Sequence, residues 1–305
     1  MNQSTRLHSP VSLAGVFPPI PTPFDEKGKV DRGALADNLA RWNEYGLAGY
    51  VVMGSNGESV LCSEEEKAAV WETARKAIAP GKLLIAGTGA ESTSETITLT
   101  RRAAEAGAEV ALAVTPHYFG GMMTSEALVR HYEVLAHASP IPVLVYNVPK
   151  FTGIDMDAGA IARAGQHPNV IGLKETGGNI AKMADIVRLA EPGFQMIAGS
   201  AAFFFAGLAV GAVGGILALA NIAPAQSVEI YRLFKAGKWD EAAELQRRML
   251  PVNAAVTARF GIAGLKAALE MLGYYGGPVR MPLLELGEKD RGVLRDILVE
   301  GGILD

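Results

Sequence analysis

The chain has 305 residues, of which 49% are hydrophobic and 20% charged, enough apolar material for a large core and too much for global disorder. Its 28 basic and 32 acidic residues give a formal net charge of −4, and no basic stripe stands out, so a nucleic-acid partner is not expected. The single cysteine, Cys62, cannot form an internal disulfide, which fits a reducing compartment and a cytoplasmic protein.

Residues 1–10 are polar and lack an apolar core, which excludes a secretory signal. Arg6 and the Ser and Thr around it leave room for an organellar transit segment. The simpler reading is a flexible tail over residues 1–13. From there the chain alternates short apolar runs with helical stretches. A strand over 15–20 is followed by a helix over 31–45 behind an Asp31 N-cap. A strand over 49–53 precedes a helix over 63–79, which opens on Ser63 with Glu66 three residues later, a capping box. Strand 83–87 leads to helix 94–106, which ends at Gly107. Strands 110–114, 142–146 and 170–174 lead to helices 124–138, 157–165 and 179–190. Strand 195–198 leads to helix 201–210, and strand 215–219 closes the series.

These eight runs are mostly continuous in hydrophobicity, as expected of parallel strands covered on both faces. They predict an α/β fold, a closed (β/α)8 TIM barrel over residues 14–224. The competing open doubly wound sheet normally carries a glycine-rich turn after its first strand. Here that place holds Pro18-Pro19-Ile20-Pro21-Thr22-Pro23. The stretch 201–220 is long and apolar enough to suggest a membrane span. Gly207, Gly211, Gly214 and Gly215 interrupt it, and a buried helix followed by a buried strand explains it better. After Asn221 the pattern becomes helical, with helices over 225–236, 239–250, 260–272 and 288–298. Residues 225–305 therefore read as a helical segment packed on the barrel.

Barrel active sites form at the C-terminal ends of the strands, so the polar residues there carry the information. Lys174 ends the run Val170-Ile171-Gly172-Leu173. Burial disfavours an ammonium, and a neutral amine attacks carbonyls to form imines. The alternative is a lysine that leaves the strand and pairs with Glu175. Tyr146 ends another strand and is either a proton relay or a core tyrosine. Ser55 and Asn56 lie in the turn Gly54-Ser55-Asn56-Gly57-Glu58. That turn offers a hydroxyl, an amide and backbone N–H groups, a carboxylate receptor, or it is simply a turn. Thr88 and Ser200 either line the pocket or cap loops, and His117 reads as a loop residue. Cys62 precedes Glu64-Glu65-Glu66, which disfavours a thiolate. The five histidines show no metal-ligand spacing, so no metal is expected, and an imine-forming lysine would supply the electrophile without a cofactor.

Five segments in order resemble the dihydrodipicolinate synthase/N-acetylneuraminate lyase family. They are Pro19–Phe24, Gly54–Ser59, Thr115–Tyr118, Tyr146–Pro149 and Gly172–Glu175, within a resemblance running from about residue 14 to the C-terminus. The resemblance implies a TIM barrel, usually oligomeric as a tetramer or dimer, that acts on a small-molecule 2-oxo acid. It implies that Lys174 forms a Schiff base with the 2-oxo acid and that Tyr146 relays protons. It also implies that Ser55 and Asn56, with Gly57, hold the carboxylate. Tyr118 matches a tyrosine that reaches into a neighbouring subunit, and Gly199 and Ile216 match pocket-lining positions. The synthases of the family usually carry two threonines where Ser55 and Asn56 stand, and an arginine where Phe151 stands. Gly-Ser-Asn-Gly-Glu instead resembles the 4-hydroxy-2-oxoglutarate aldolases and the 2-oxo-3-deoxy sugar acid aldolases. The expected function is therefore a class I aldolase that releases pyruvate. A dihydrodipicolinate synthase, in which Lys150 partly replaces the missing arginine, is the alternative. A deoxy-oxo sugar acid dehydratase and a catalytically silent 2-oxo acid binder are the remaining readings.

Overall fold

The computed structural model describes residues 11–305. Eight parallel strands run in the order β1-β8-β7-β6-β5-β4-β3-β2. They are β1 (Gly15–Phe17), β2 (Gly49–Val52), β3 (Leu83–Gly87), β4 (Val110–Val114), β5 (Val143–Asn147), β6 (Val170–Glu175), β7 (Gln195–Ala198) and β8 (Gly214–Ile216). The cylinder closes between β1 and β2 through backbone bonds from Ala48 to Val16 and from Val51 to Pro18, both 3.0 Å. The fold is the expected TIM barrel with helices around it. β1 is shorter than predicted because Pro18 and Pro19 have no N–H to extend a ladder; Pro19 bridges Val51 in isolation.

Among the described residues twelve α-helices surround and extend the barrel: α1 (Arg32–Trp42), α2 (Glu64–Ala77), α3 (Thr93–Glu105), α4 (Ser125–Ala138), α5 (Pro149–Thr152), α6 (Ala158–Ala164), α7 (Ile180–Leu189), α8 (Phe204–Ala209), α9 (Pro224–Lys235), α10 (Trp239–Ala254), α11 (Gly261–Met271) and α12 (Glu288–Glu300). Asp31 caps α1 by accepting from the Ala34 N–H, and Ser63 and Glu66 form the reciprocal capping box on α2. Such caps contribute about 1 kcal/mol each. The helix expected over 201–210 splits into a 3-10 turn, Ala201–Phe203, and α8. α10 runs past Pro251 to Ala254 and continues as a π-helical turn, Ala255–Arg259. α10 thus outruns the expected 239–250, although Pro251 removes one backbone donor.

Strand alternation separates two cores. Leu144 and Tyr146 of β5 face the barrel interior with Phe17, Val51, Ile85, Leu112, Ile197 and Ile216. Val143 and Val145 face outward against Leu128 and Val129 of α4 and Ile161 of α6. Leu13 is buried in the interior cluster, and its N–H donates to the Gln195 side chain at 2.8 Å. The Val11 carbonyl accepts from the same amide. Residues 1–10 of the expected tail lie outside the described residues, but residues 11–13 are docked on β7 rather than free. Among the described residues no helix is long and apolar enough to cross a membrane. The apolar stretch before residue 220 is spent on buried α8 and β8.

Candidate active site

Parity puts two reactive side chains side by side. Tyr146 of β5 pairs in register with Lys174 of β6, and Tyr146 faces the barrel interior. Lys174 is 4% exposed, and its Nζ lies 4.0 Å from the centroid of the Tyr146 ring. Pairing with Glu175, the alternative raised by the sequence, does not occur. Glu175 lies on the opposite face, where the neighbouring register pair Asn147↔Glu175 is joined by a side-chain bond of 2.9 Å. Asn147 also donates to Asp155 at 2.8 Å and accepts from the Met156 N–H at 3.0 Å. Lys182 of α7 contacts Asp155 and lies 3.5 Å from Glu175. Burial pushes the Glu175 carboxyl above its ordinary range, and the Lys182 charge opposes that shift. The two strands that carry Tyr146 and Lys174 are thus pinned together from behind by a buried polar cluster.

The turn after β2 reaches the same rim. Ser55–Gly57 forms a single 3-10 turn, and the Ser55 hydroxyl lies 3.2 Å from the Tyr146 phenol oxygen. The Asn56 Nδ2 is buried with no hydrogen-bond partner among the described residues, so an amide donor is left for an acceptor to satisfy. The Gly57 carbonyl accepts from the Thr22 hydroxyl at 2.6 Å. Two non-glycine residues with left-handed backbone bracket the turn, Met53 at φ 59° and Glu58 at φ 54°. Each costs roughly 1–2 kcal/mol, so the surrounding contacts must hold them. Glu58 is held by Lys266 of α11 at 2.7 Å and by the Arg280 N–H, also at 2.7 Å. Burial lowers the Lys266 ammonium below the usual lysine range, and the Glu58 charge opposes that shift.

The remaining predicted positions divide. Ile216 is buried in the interior cluster with Tyr146. Gly199 has a packing reason to be glycine: an added Cβ would come within 2.2 Å of Thr176 and 2.6 Å of the Glu175 carbonyl oxygen. Tyr118 lies apart from the others in the loop after β4 and is 79% exposed. Glu91 fixes that loop by accepting from the N–H groups of His117 and Tyr118 at 2.9 and 2.8 Å and by pairing with the His117 ring at 2.8 Å. His117 is therefore a loop residue. Ser200 caps the 3-10 turn by accepting from the Ala202 N–H, and the Thr88 hydroxyl accepts from Thr100. Cys62 is unsuited to nucleophilic work: burial is the largest cause that pushes its thiol up to about 11, and Glu66 and Glu58 add to it while Arg280 opposes. Phe151 lies on α5 and is 57% exposed, and the neighbouring Lys150 ammonium donates to the Thr257 carbonyl at 3.3 Å.

The supporting roles of Asn147, Glu58, Lys266 and Glu91 are not legible in the sequence, and Glu175 enters there only as a partner for Lys174. Period-two alternation turns Glu175 away from Lys174, but nothing local reveals Asn147 as its partner. The partners of Glu58 stand at the far end of the chain.

A closed parallel barrel with an inward lysine and tyrosine in register at its C-terminal rim is a layout found in barrel enzymes. Residues 12–300 match the Dihydrodipicolinate synthetase family, and the chain belongs to it. That family consists of pyruvate-dependent lyases and synthases. The chain is 36% identical over 287 residues to the 4-hydroxy-tetrahydrodipicolinate synthase of Methanothrix thermoacetophila, covering 94% of this chain and 96% of that one. It is also 36% identical over 293 residues to the probable mitochondrial 4-hydroxy-2-oxoglutarate aldolase of Emericella nidulans, covering 94% of both. The chloride-inhibited dihydrodipicolinate synthase of Acinetobacter baumannii complexed with pyruvate superposes with a TM-score of 0.92 at 30% identity, covering 96% of this chain and 100% of that one.

Proposed function

We propose that the chain is a class I aldolase that cleaves a 4-hydroxy-2-oxo acid, 4-hydroxy-2-oxoglutarate or a close analogue, into pyruvate and an aldehyde such as glyoxylate. The observation that carries this reading is the cluster at the rim: Lys174 Nζ at 4.0 Å from the Tyr146 ring, and the Tyr146 phenol at 3.2 Å from Ser55. The Lys174 amine adds to the C2 carbonyl, and loss of water leaves an iminium. Tyr146 relays the proton of the 4-hydroxyl, passing its own phenol proton through the Ser55 hydroxyl to the 1-carboxylate as it takes it, and the C3–C4 bond breaks. Its electron pair moves into the iminium, giving an enamine and the free aldehyde. Protonation of the enamine at C3 and hydrolysis of the imine return pyruvate and the amine. Ser55 and the unpartnered Asn56 amide hold the 1-carboxylate.

Two departures from the synthase pattern support cleavage over condensation. Ser55 and Asn56 replace the threonine pair, and Phe151, which offers no donor to a second carboxylate, replaces the arginine. The likeness to the Emericella nidulans protein points the same way. The likeness to the Methanothrix thermoacetophila synthase favours a second reading, condensation of pyruvate with aspartate semialdehyde. A panel of 4-hydroxy-2-oxo acids assayed for pyruvate release, run beside pyruvate plus aspartate semialdehyde, separates the two. Turnover on the semialdehyde without cleavage of any panel member overturns the first reading.

The exposed Tyr118, Phe119 and Met122 form an apolar loop that suits burial against a second copy. This supports a homotetramer or dimer in which Tyr118 enters the neighbouring site. The lone, buried Cys62 supports a reducing, cytoplasmic setting.

A further inference from the structure

A buried ion pair links the C-terminal segment to the rim. Glu58 closes the Ser55–Gly57 turn, and Lys266 lies on α11; their side chains are 0% and 2% exposed and meet at 2.7 Å. Both partners have further contacts. Lys266 Nζ also donates to the Pro278 carbonyl at 2.7 Å and lies 4.5 Å from the centroid of the Phe24 ring. The second Glu58 oxygen accepts from the Arg280 N–H, and the Arg280 guanidinium grips Glu66 with two bonds of 2.7 Å and the Leu61 carbonyl at 2.8 Å.

A fully buried ion pair is a poor source of stability, because desolvating two charges cancels most of their attraction. Glycine would also suit the left-handed backbone at position 58 better than glutamate does. A glutamate there, with its carboxylate sealed against a lysine, serves placement rather than stability or backbone ease. We propose that Glu58 and Lys266 are positioning residues: α11, through this pair, sets where the hydroxyl of Ser55 and the amide of Asn56 stand, and so tunes the grip on the 2-oxo acid carboxylate. This rests on the reading of that turn as the carboxylate receptor. Neither residue touches the reacting atoms, so its influence falls on binding and not on bond cleavage.

The test compares Glu58→Gly, Lys266→Met and the double variant Glu58→Gln/Lys266→Met with the full-length wild type. KM for the cleaved acid and the pyruvate concentration that half-saturates borohydride trapping should rise at least about 10-fold, while kcat and the saturated trapping rate stay within about threefold. The double variant is the sharpest case: it removes both charges and so leaves no buried ion unpaired, so a purely structural role predicts wild-type binding, and placement predicts weakened binding. Folded variants with wild-type KM and wild-type pyruvate saturation overturn the proposal. Linkage supplies a readout that needs no variant, because a ligand held by the turn must in return steady its anchor. Amide exchange over residues 261–271 of the wild type should slow once pyruvate is reduced onto the protein; unchanged exchange overturns the proposal as well. A wild type that fails to trap pyruvate at all counts against the proposed function. A wild type that traps it, with variants that bind it equally well, counts against the placement alone.

Discussion

The Ser55 hydroxyl lies 3.2 Å from the Tyr146 phenol oxygen, joining the turn after β2 to the end of β5. If Tyr146 relays the proton, Tyr146→Phe should lower kcat by about 10²- to 10⁴-fold, the usual worth of a placed acid or base. Ser55→Ala should cost less, roughly 10-fold, and the double variant should lose less than the product of the two, because the hydroxyls act as a unit. Steady-state kinetics of the three variants read this directly. Strictly multiplicative losses would show that the two groups work independently.

Behind that pair, Asn147 and Glu175 hold β5 and β6 in register. Asn147→Ala leaves the Glu175 carboxyl short of a partner in a buried place and should cost about 1–3 kcal/mol of stability, measured by denaturant unfolding. It should also lower kcat more than it raises KM, since Tyr146 and Lys174 sit on the same two strands. Because burial raises the Glu175 carboxyl in the folded state, the folded protein holds that proton to higher pH than the unfolded chain. Its stabilising share is complete in acid and is lost as pH rises through the raised value. Glu175→Gln abolishes that loss, so its stability relative to wild type should improve from acidic to neutral pH. A flat difference would contradict it.

His131 on α4 is buried, and desolvation lowers its imidazole from 6.5 to about 4, with Thr93 2.9 Å from Nδ1. The unfolded chain therefore binds this proton more readily than the folded one. The linked stability is fully present above about pH 6.5 and drains away as pH falls through about 4, a loss of about 3 kcal/mol when complete. His131→Gln should flatten the stability profile in that window. Thermal melts of the two proteins from pH 7 to pH 4 check it.

Much of the barrel is legible because buried parallel strands leave an unmistakable apolar run and caps have a local chemistry. Asp31, Ser63 with Glu66, and Gly107, which adopts φ 91° after α3, are examples. The rim position of Lys174 and the inward face of Tyr146 follow from strand ends and period-two alternation. The boundary errors have physical causes: Pro18 and Pro19 cut β1 short, and Pro251 sits inside a helix that a local reading ends. What local pattern cannot supply is contact between distant segments. The Glu58–Lys266 pair, the Asn147–Glu175 bond behind the site and the Glu91 clamp on the Tyr118 loop each join elements whose proximity only the closed fold creates.

Phe151 is the position at which the two enzymatic readings diverge. Exposed on α5, it can be replaced without opening the core. Phe151→Arg should raise kcat/KM for aspartate semialdehyde by about 10-fold or more, since a placed guanidinium adds a charge-assisted bidentate contact. It should leave borohydride trapping of pyruvate unchanged. A variant that gains nothing on the semialdehyde would show that residues beyond Phe151 set the choice.

The central claim is the imine on Lys174. The most direct measurement is borohydride reduction in the presence of pyruvate, followed by peptide mass mapping of wild type and of Lys174→Ala. The expected result is one 1-carboxyethyl adduct per chain, on the peptide carrying Lys174, and none in the variant. An adduct that persists in Lys174→Ala, or one that maps to another lysine such as Lys266, would contradict the account.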